Sequence, residues 1–226
     1  VRARLAPDGA ARILLLIGSG NNGGDGLVAA RHLHEWGHEC TLYIWQRAES
    51  ADPLLVRAQA LGIVTIWAAD DRDGQQLAVL ARECDVLIDA LLGTGAQGPL
   101  RGTLRDILSR VGEVLRARRA PAPGRLTPIG GLPQGAGPEE RPLVVAVDGP
   151  SGLDFDTGAI DDLSLSAGLT VSLAYPKIGQ FISPGADRLG ELLVADIGLD
   201  PALAEDVTLR VATPEMVRDL LPARAA

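Results

Sequence analysis

An α/β fold with a mostly parallel central sheet, covered by helices on both faces, is predicted by three observations. Short apolar runs of strand length alternate with helix-length segments, and the connections have βαβ length. Hydrophobic residues make up 46% of the 226 residues but aromatics only 3%, so the core must be built from Val, Leu, Ile and Ala, as in sheets buried on both faces. Three of the predicted strands also run into glycine-bearing turns that carry polar side chains, at the strand ends where open α/β sheets take their ligands.

The elements follow in order. Arg12–Ile17 (RILLLI) is a continuous apolar run of buried-strand type. After the glycine-rich segment Gly18–Gly26, Asp25–Trp36 carries helical periodicity, and Gly37 ends it as a C-cap glycine. Cys40–Trp45 reads as the second strand. Pro53–Leu61 reads as a helix stopped by Gly62, and Ile63–Trp67 as the third strand. Gln75–Arg82 is helical, Asp85–Ala90 is a fourth strand ending in a carboxylate, and Leu100–Arg119 has helical character. The Pro/Gly-rich stretch 120–141 reads as an exposed surface insertion, because a strand pattern resumes at once with Leu143–Val147. Leu169–Ala174 and Glu191–Ile197 extend the sheet, and Val207–Val211 with the short helix Pro214–Leu220 closes the chain. The whole reads as a single domain, 1–226, without internal repeats.

Charge and cysteine content narrow the function classes. A net charge of −8 leaves no basic stripe to neutralise phosphates, so a general nucleic-acid binder is excluded. Cys40 and Cys84 are the only cysteines; without a CxxC or Cys/His cluster, they read as core thiols of a reducing, cytoplasmic compartment. No apolar run is long enough for a membrane span, and the first ten residues lack the apolar core of a signal peptide. His32, His34 and His38 lack a partner at catalytic spacing and read as surface residues.

Chemistry concentrates at three strand ends. Gly18–Gly26 (GSGNNGGDG) is predicted to cradle phosphate between the first strand and first helix. Its glycines permit close backbone approach, and amides at the helix start point at an anion. It is neither a Walker A sequence nor a complete dinucleotide fingerprint; Asn21 and Asn22 distinguish it, since their amides can bind ribose, phosphate or a hard cation. Asp25 reads either as the helix N-cap or as a site residue. The second strand end is Asp89 with the glycine loop that runs on to Pro99, and the third is Asp148-Gly-Pro-Ser151-Gly. Two strand-end carboxylates with Asn and Ser oxygens suit a monovalent or hard cation held by oxygen and do not suit zinc. Lys177, the only lysine, follows a predicted strand end and reads either as a point charge for phosphate or as a solvated surface group.

Four ordered segments, GSGNNGGDGLVAARHL, DVLIDALLGTGAQGPLRG, VVAVDGPSGLDFDTG and LTVSLAYPKIG, resemble the NAD(P)H-hydrate epimerases, also called the YjeF N-terminal domain family, over roughly residues 12–200. The resemblance implies a Rossmann-like three-layer α/β/α sandwich. The implied activity is isomerisation of hydrated, damaged NADH or NADPH (NADHX, NADPHX) between R and S epimers. It further implies a potassium ion and, as functional partner, an ADP/ATP-dependent NAD(P)H-hydrate dehydratase that repairs the S form; a homodimer is compatible with it. Residue by residue, Asn21, Asn22, Gly23, Gly24 and Asp25 correspond to substrate-site positions, and Asn22, Asp89 and Ser151 to the potassium ligands. Gly93, Thr94, Gly95, Ala96, Gln97, Gly98 and Pro99 correspond to the loop that clasps the substrate phosphates. Asp148 corresponds to a substrate-binding residue. It is also the candidate catalytic acid/base, because it ends a buried strand where desolvation disfavours the carboxylate. Lys177 is carried as a further substrate-binding candidate.

The sequence departs from the family pattern in places. Ser19 stands where the first loop usually has proline, and Gly149 stands where Ile or Val usually separates the aspartate from Pro-Ser-Gly. Eleven residues precede Arg12, fewer than the family's helical front, so a trimmed or lost front is expected, and no dehydratase domain is expected after Ala226. The alternative reading is a non-catalytic member that keeps the fold as a ligand-binding or interaction scaffold. An ordinary NAD-dependent oxidoreductase is disfavoured because CTLYIWQ brings no acidic residue to the end of the second strand.

Overall fold

A computed structural model describes residues 9–47, 52–96, 98–119, 142–212 and 214–221. Seven parallel strands form one sheet: β1 (Arg12–Ile17), β2 (Glu39–Ile44), β3 (Val64–Trp67), β4 (Val86–Ala90), β5 (Leu143–Val147), β6 (Leu169–Leu173) and β7 (Glu191–Ala195), in the order β3-β2-β1-β4-β5-β6-β7. The helices are α1 (Asn21–Glu35), α2 (Pro53–Ala60), α3 (Gln75–Glu83), α4 (Gly102–Arg119) and α5 (Pro214–Leu220). The expected α/β/α sandwich is present, with every strand pair parallel. The insertion expected at 120–141 lies outside the described residues.

Burial on both faces explains the continuous apolar strands. Along β1 alternate residues point to opposite sides. Leu14 and Leu16 join Leu77 and Ala81 of α3 and Leu104, Ile107 and Leu108 of α4 in one core cluster. Ile13, Leu15 and Ile17 meet Leu27, Ala30 and Leu33 of α1 and Leu55 and Ala58 of α2 in the other. From β1 the chain steps outward through α1, β2 and α2 to β3, then returns through α3 to β4 on the other side of β1. The strand order therefore reverses between β1 and β4, the switch point at whose carboxyl-end crevice open α/β sheets take their ligands.

Contacts group the chain into two compact units, Val1–Ala195 and Asp196–Ala226. The first contains the whole sheet. In the second, a short 3₁₀ turn (Pro201–Ala204) precedes α5, and Val207–Val211 is irregular. No described helix is long and apolar enough to cross a membrane. Of the histidines, His32 is exposed and stacks on Trp36, and half-buried His38 accepts the Ala11 amide through Nδ1 at 3.3 Å.

One boundary moves in a way that matters for the site. α1 begins at Asn21 rather than at Asp25, so the loop proper is only Gly18–Gly20 and the sequence NNGG forms the first helical turn. Asp25 is consequently not the N-cap; Gly20 occupies that position with no side-chain cap. Four residues of low helix propensity are helical here because the turn is pressed against backbone. A Cβ at Gly23 would lie 2.0 Å from the Gly18 carbonyl oxygen, and one at Gly26 would lie 2.6 Å from the Ala90 Cβ. Tertiary contact overrides the intrinsic preference.

Candidate functional site

The loops after β1 and β4 touch at the crevice. The Gly18 amide donates to the Ala90 carbonyl at 3.1 Å, and a Cβ on Gly18 would lie 1.8 Å from the Leu91 carbonyl oxygen. Arg47 locks the first loop from the β2 side, donating from Nη1 to the carbonyls of Gly18 (2.7 Å) and Gly20 (3.1 Å). It is paired with Asp52, which also caps α2 by accepting the Leu54 amide at 2.8 Å. Partial burial works against the Asp52 carboxylate, but the Leu54 amide, Arg47 and the Leu55 amide together hold its pKa below the usual carboxylate range. No side chain caps the first turn of α1, and uncapped amides at a helix start favour an anion.

Asn22, Asp89 and Ser151 come together, although they lie in three separate segments. Asp89 is 1% exposed; Ser151 donates to it from the backbone amide at 2.8 Å and from Oγ at 2.6 Å, and the Leu91 amide adds a third donor at 3.3 Å. Ser151 Oγ accepts the Leu92 amide at 3.0 Å, while Asn22 Nδ2 donates to the Leu92 carbonyl at 2.8 Å. Burial pushes the Asp89 carboxyl up, against the pull of its Ser151 and Leu91 donors. Among the described residues no basic side chain pairs with it. A buried carboxylate met only by neutral donors, with the Ser151 hydroxyl and the Asn22 amide close by and no counter-charge among the described residues, fits an oxygen-bound cation. No group of three or more His, Cys, Asp or Glu suited to a metal occurs among the described residues.

Asp148 follows β5 with φ of 66°, left-handed backbone that aspartate adopts more readily than most residues. Its carboxylate is ion-paired with Lys177 and accepts the Leu173 amide at 3.1 Å. Lys177 also donates to Ser172 Oγ at 3.1 Å and to the Leu173 carbonyl at 2.9 Å, so its three donors are engaged within the protein. The structure therefore joins Lys177 to Asp148 and supplies the cationic partner that an argument from burial alone omits. Gln180 completes the arrangement: buried, it donates from Nε2 to the Asp148 carbonyl at 2.6 Å and accepts the Lys177 amide at 2.8 Å.

Asp25 lies on the exposed side of the first turns of α1, and partial burial together with the Asp148 charge raises its pKa. Asn21 is exposed, and Gly23 and Gly24 are buried against the first loop and Arg47. Gly93 packs on Asn22, where a Cβ would lie 3.1 Å from the Asn22 Cβ. Thr94, Gly95, Gly98 and Pro99 are exposed and Ala96 is half-buried; Gln97 lies outside the described residues. Beside this loop opens a cleft of about 740 Å³ bounded by Trp45, Leu92, Pro99, Arg101, Arg105 and Asp162.

Arg47, Ser172 and Gln180 are site residues that the sequence reading passed over. Gln180 had a local signal, three residues beyond Lys177 in PKIGQ. Arg47 had none, since its role depends on β2 lying next to β1.

Residues 1–179 match the family described as YjeF-related protein N-terminus. The chain belongs to this family. Among its relatives, the NAD(P)H-hydrate epimerase of Clavibacter michiganensis is 34% identical over 199 residues, covering 87% of this chain and 76% of the relative. That of Limosilactobacillus fermentum is 32% identical over 186 residues, covering 82% and 74%. The bifunctional NAD(P)H-hydrate repair enzyme Nnr of Thermofilum pendens is 32% identical over 207 residues, covering 90% of this chain but 34% of the relative. The chain thus spans about a third of the length of such bifunctional relatives. The crystal structure of the yeast protein YNL200c superposes with a TM-score of 0.59 at 20% identity, covering 87% of this chain and 70% of that one, a likeness of fold.

Proposed function

We propose that this YjeF N-terminal chain is an NAD(P)H-hydrate epimerase, interconverting the R and S hydrates of NADH and NADPH. The carrying observation is that Asn22 and Ser151 both bond Leu92, Ser151 bonds Asp89 and Asp148 pairs with Lys177, so polar side chains from four segments gather beyond the carboxyl ends of the strands. Relatives of comparable length bear the name of this activity. A scaffold that only bound partners would have no need of a buried carboxylate without a basic partner among the described residues.

The hydrate carries a hydroxyl on the ring carbon next to nitrogen. Protonation of that hydroxyl lets the nitrogen lone pair expel water and leaves an iminium ion; water added to the opposite face gives the other epimer. Asp148 is the acid/base group, with Lys177, Gln180 and the Leu173 amide fixing its position. The free amides of the first turn of α1 and the Gly93–Pro99 loop hold the diphosphate, and the adjoining cleft has room for the rest of the dinucleotide. A dehydratase acting on the S form is the partner that would consume the product.

Potassium is the cation proposed for the Asn22, Asp89 and Ser151 oxygens; when bound it would neutralise Asp89 and pin the three segments together. Thermal melts in potassium chloride and in choline chloride at equal ionic strength test this. The wild-type midpoint should rise in potassium, by mass action on the folded state, and the Asp89→Asn midpoint should not respond. Equal responses would remove potassium from the site.

The activity is tested by mixing R-hydrate with an S-specific dehydratase, ATP and this protein. Repair should run to completion well ahead of spontaneous epimerisation. R-hydrate left at the spontaneous rate would overturn the reading.

A further inference from the structure

The cleft of about 740 Å³ is bordered by Trp45, Pro99, Arg101, Arg105 and Asp162, and by none of Asp148, Lys177 or Gln180. The glycine loop after β4 reaches both places: Gly93 packs on Asn22, whereas Ala96, Gly98 and Pro99 border the cleft. A dinucleotide whose diphosphate lies along this loop has its reacting half toward Asn22 and its adenosine half in the cleft. The volume is that of an ordinary small-molecule site, and the walls suit an adenosine. Trp45, just beyond β2, offers an aromatic surface and is fixed by Nε1 donating to Thr103 Oγ1 at 2.8 Å. Arg101 and Arg105 stand about one helical turn apart at the start of α4. Both are exposed, and neither makes a hydrogen bond or ion pair among the described residues. The carboxylates of the cleft are differently placed. Asp161 accepts the Leu100 and Leu163 amides at 3.0 and 2.9 Å, and Asp154 accepts the Asp156 and Thr157 amides at 3.0 and 2.9 Å. Of the three, Asp162 alone is exposed and without a partner among the described residues.

Resting on the epimerase reading, we propose that this cleft is an adenosine 2′-phosphate subsite, with the base against Trp45 and the phosphate on Arg101 and Arg105, so that the NADPH hydrate is preferred to the NADH hydrate. The two substrates differ only in that phosphate, so the groups that meet it set the preference. A guanidinium is always charged and its planar fork matches the oxygens of a phosphate with parallel hydrogen bonds. Two of them without an internal partner, in a chain of net charge −8, are free to take up a phosphate monoester. Asp162 marks the opposite preference, since a carboxylate receives the bare 2′-hydroxyl and repels the phosphate. One unpartnered carboxylate faces two unpartnered guanidiniums, and Asp154 and Asp161 already have amide donors on their oxygens.

Calorimetric titration with NADP⁺ and NAD⁺, which carry the two adenosine ends and do not epimerise, tests this. Wild type should bind NADP⁺ about tenfold or more tighter than NAD⁺, the scale of a charge-assisted contact. The double variant Arg101→Gln/Arg105→Gln should lose most of that ratio by weakening NADP⁺, with the NAD⁺ affinity moving by less than about threefold. Trp45→Leu should weaken both dinucleotides alike and keep their ratio. A wild-type preference for NAD⁺, no binding of either dinucleotide, or a preference for NADP⁺ that survives in the double variant would each overturn the proposal. Equal loss of both dinucleotides in the double variant would also overturn it, by assigning the guanidiniums to the diphosphate, and a folded Trp45→Leu with wild-type affinities would remove the base from the cleft. Arg101 and Arg105 are exposed, so their variant is expected to fold; should Trp45→Leu fail a thermal melt, the arginine variant decides. Titration requires no turnover, so failure of the epimerase reading, seen with R-hydrate and the dehydratase, is a separate result.

Discussion

Asp148→Asn is expected to reduce epimerisation by about 10²- to 10⁴-fold, the range lost with a positioned acid/base group, while binding of NADPH or ADP-ribose stays measurable. Asparagine is the informative replacement because Asp148 sits at φ of 66°. Asparagine tolerates left-handed backbone, whereas alanine would add strain to the loss of the carboxylate. The Gln180 bond to the residue 148 carbonyl and the 148 amide bond to Val171 do not depend on the side chain, so the backbone should hold its place. Lys177 keeps Ser172 Oγ and the Leu173 carbonyl as acceptors. Turnover near the wild-type rate would remove Asp148 from the chemistry. Loss of rate together with loss of ligand binding would assign it to substrate positioning.

Gly18→Ala is expected to have the largest effect on the fold and on the site together. Its Cβ would meet the Leu91 carbonyl oxygen at 1.8 Å, the carbonyl carbon at 2.7 Å and the Cα at 2.9 Å. All three atoms are backbone, so no side-chain rotation relieves the clash, and the loops after β1 and β4 must separate. Overpacking of this kind costs about 1–3 kcal/mol or more, and a shift of the second loop carries Leu92 away from Asn22 and Ser151, to which it is bonded at 2.8 and 3.0 Å. Denaturant unfolding should show a lower midpoint, and any potassium-dependent rise in melting temperature should shrink. Gly20→Ala is the control: nothing lies within 4 Å of its Cβ and its φ is −90°, so its midpoint should move far less. Equal effects from the two substitutions would mean that the contact between the loops is not what constrains Gly18.

These two positions show where local reading of the chain succeeds. Gly18 is recognisable as a turn glycine after an apolar run, and Asp148 as a carboxylate at a strand end, because both signals are carried by immediate neighbours. What each residue touches is not local. Leu91 is far from Gly18 along the chain, and Lys177 stands 29 residues beyond Asp148; strand order brings them together. Lys177 could be placed near a strand end by sequence, and with no known neighbour it read either as a phosphate ligand or as a solvated surface group. In the fold its ammonium is taken up by Asp148, Ser172 and Leu173.

The sequence by itself determined the alternation of strand and helix, the two-faced aliphatic core and the three strand ends that carry chemistry. Those features rest on apolar period, run length and turn glycines, all of which act within a few residues. Only the tertiary structure decided that the first four residues of NNGGD are helical, since their backbone is pressed against Gly18 and Arg47 in a way that leaves no room for a Cβ at Gly23. It also decided that Asp89 is buried with no basic partner among the described residues, and that Asp148 is paired with Lys177 and held by the Leu173 amide. Close backbone approach and desolvation depend on which strands become neighbours, and the reversal of strand order between β1 and β4 settles that.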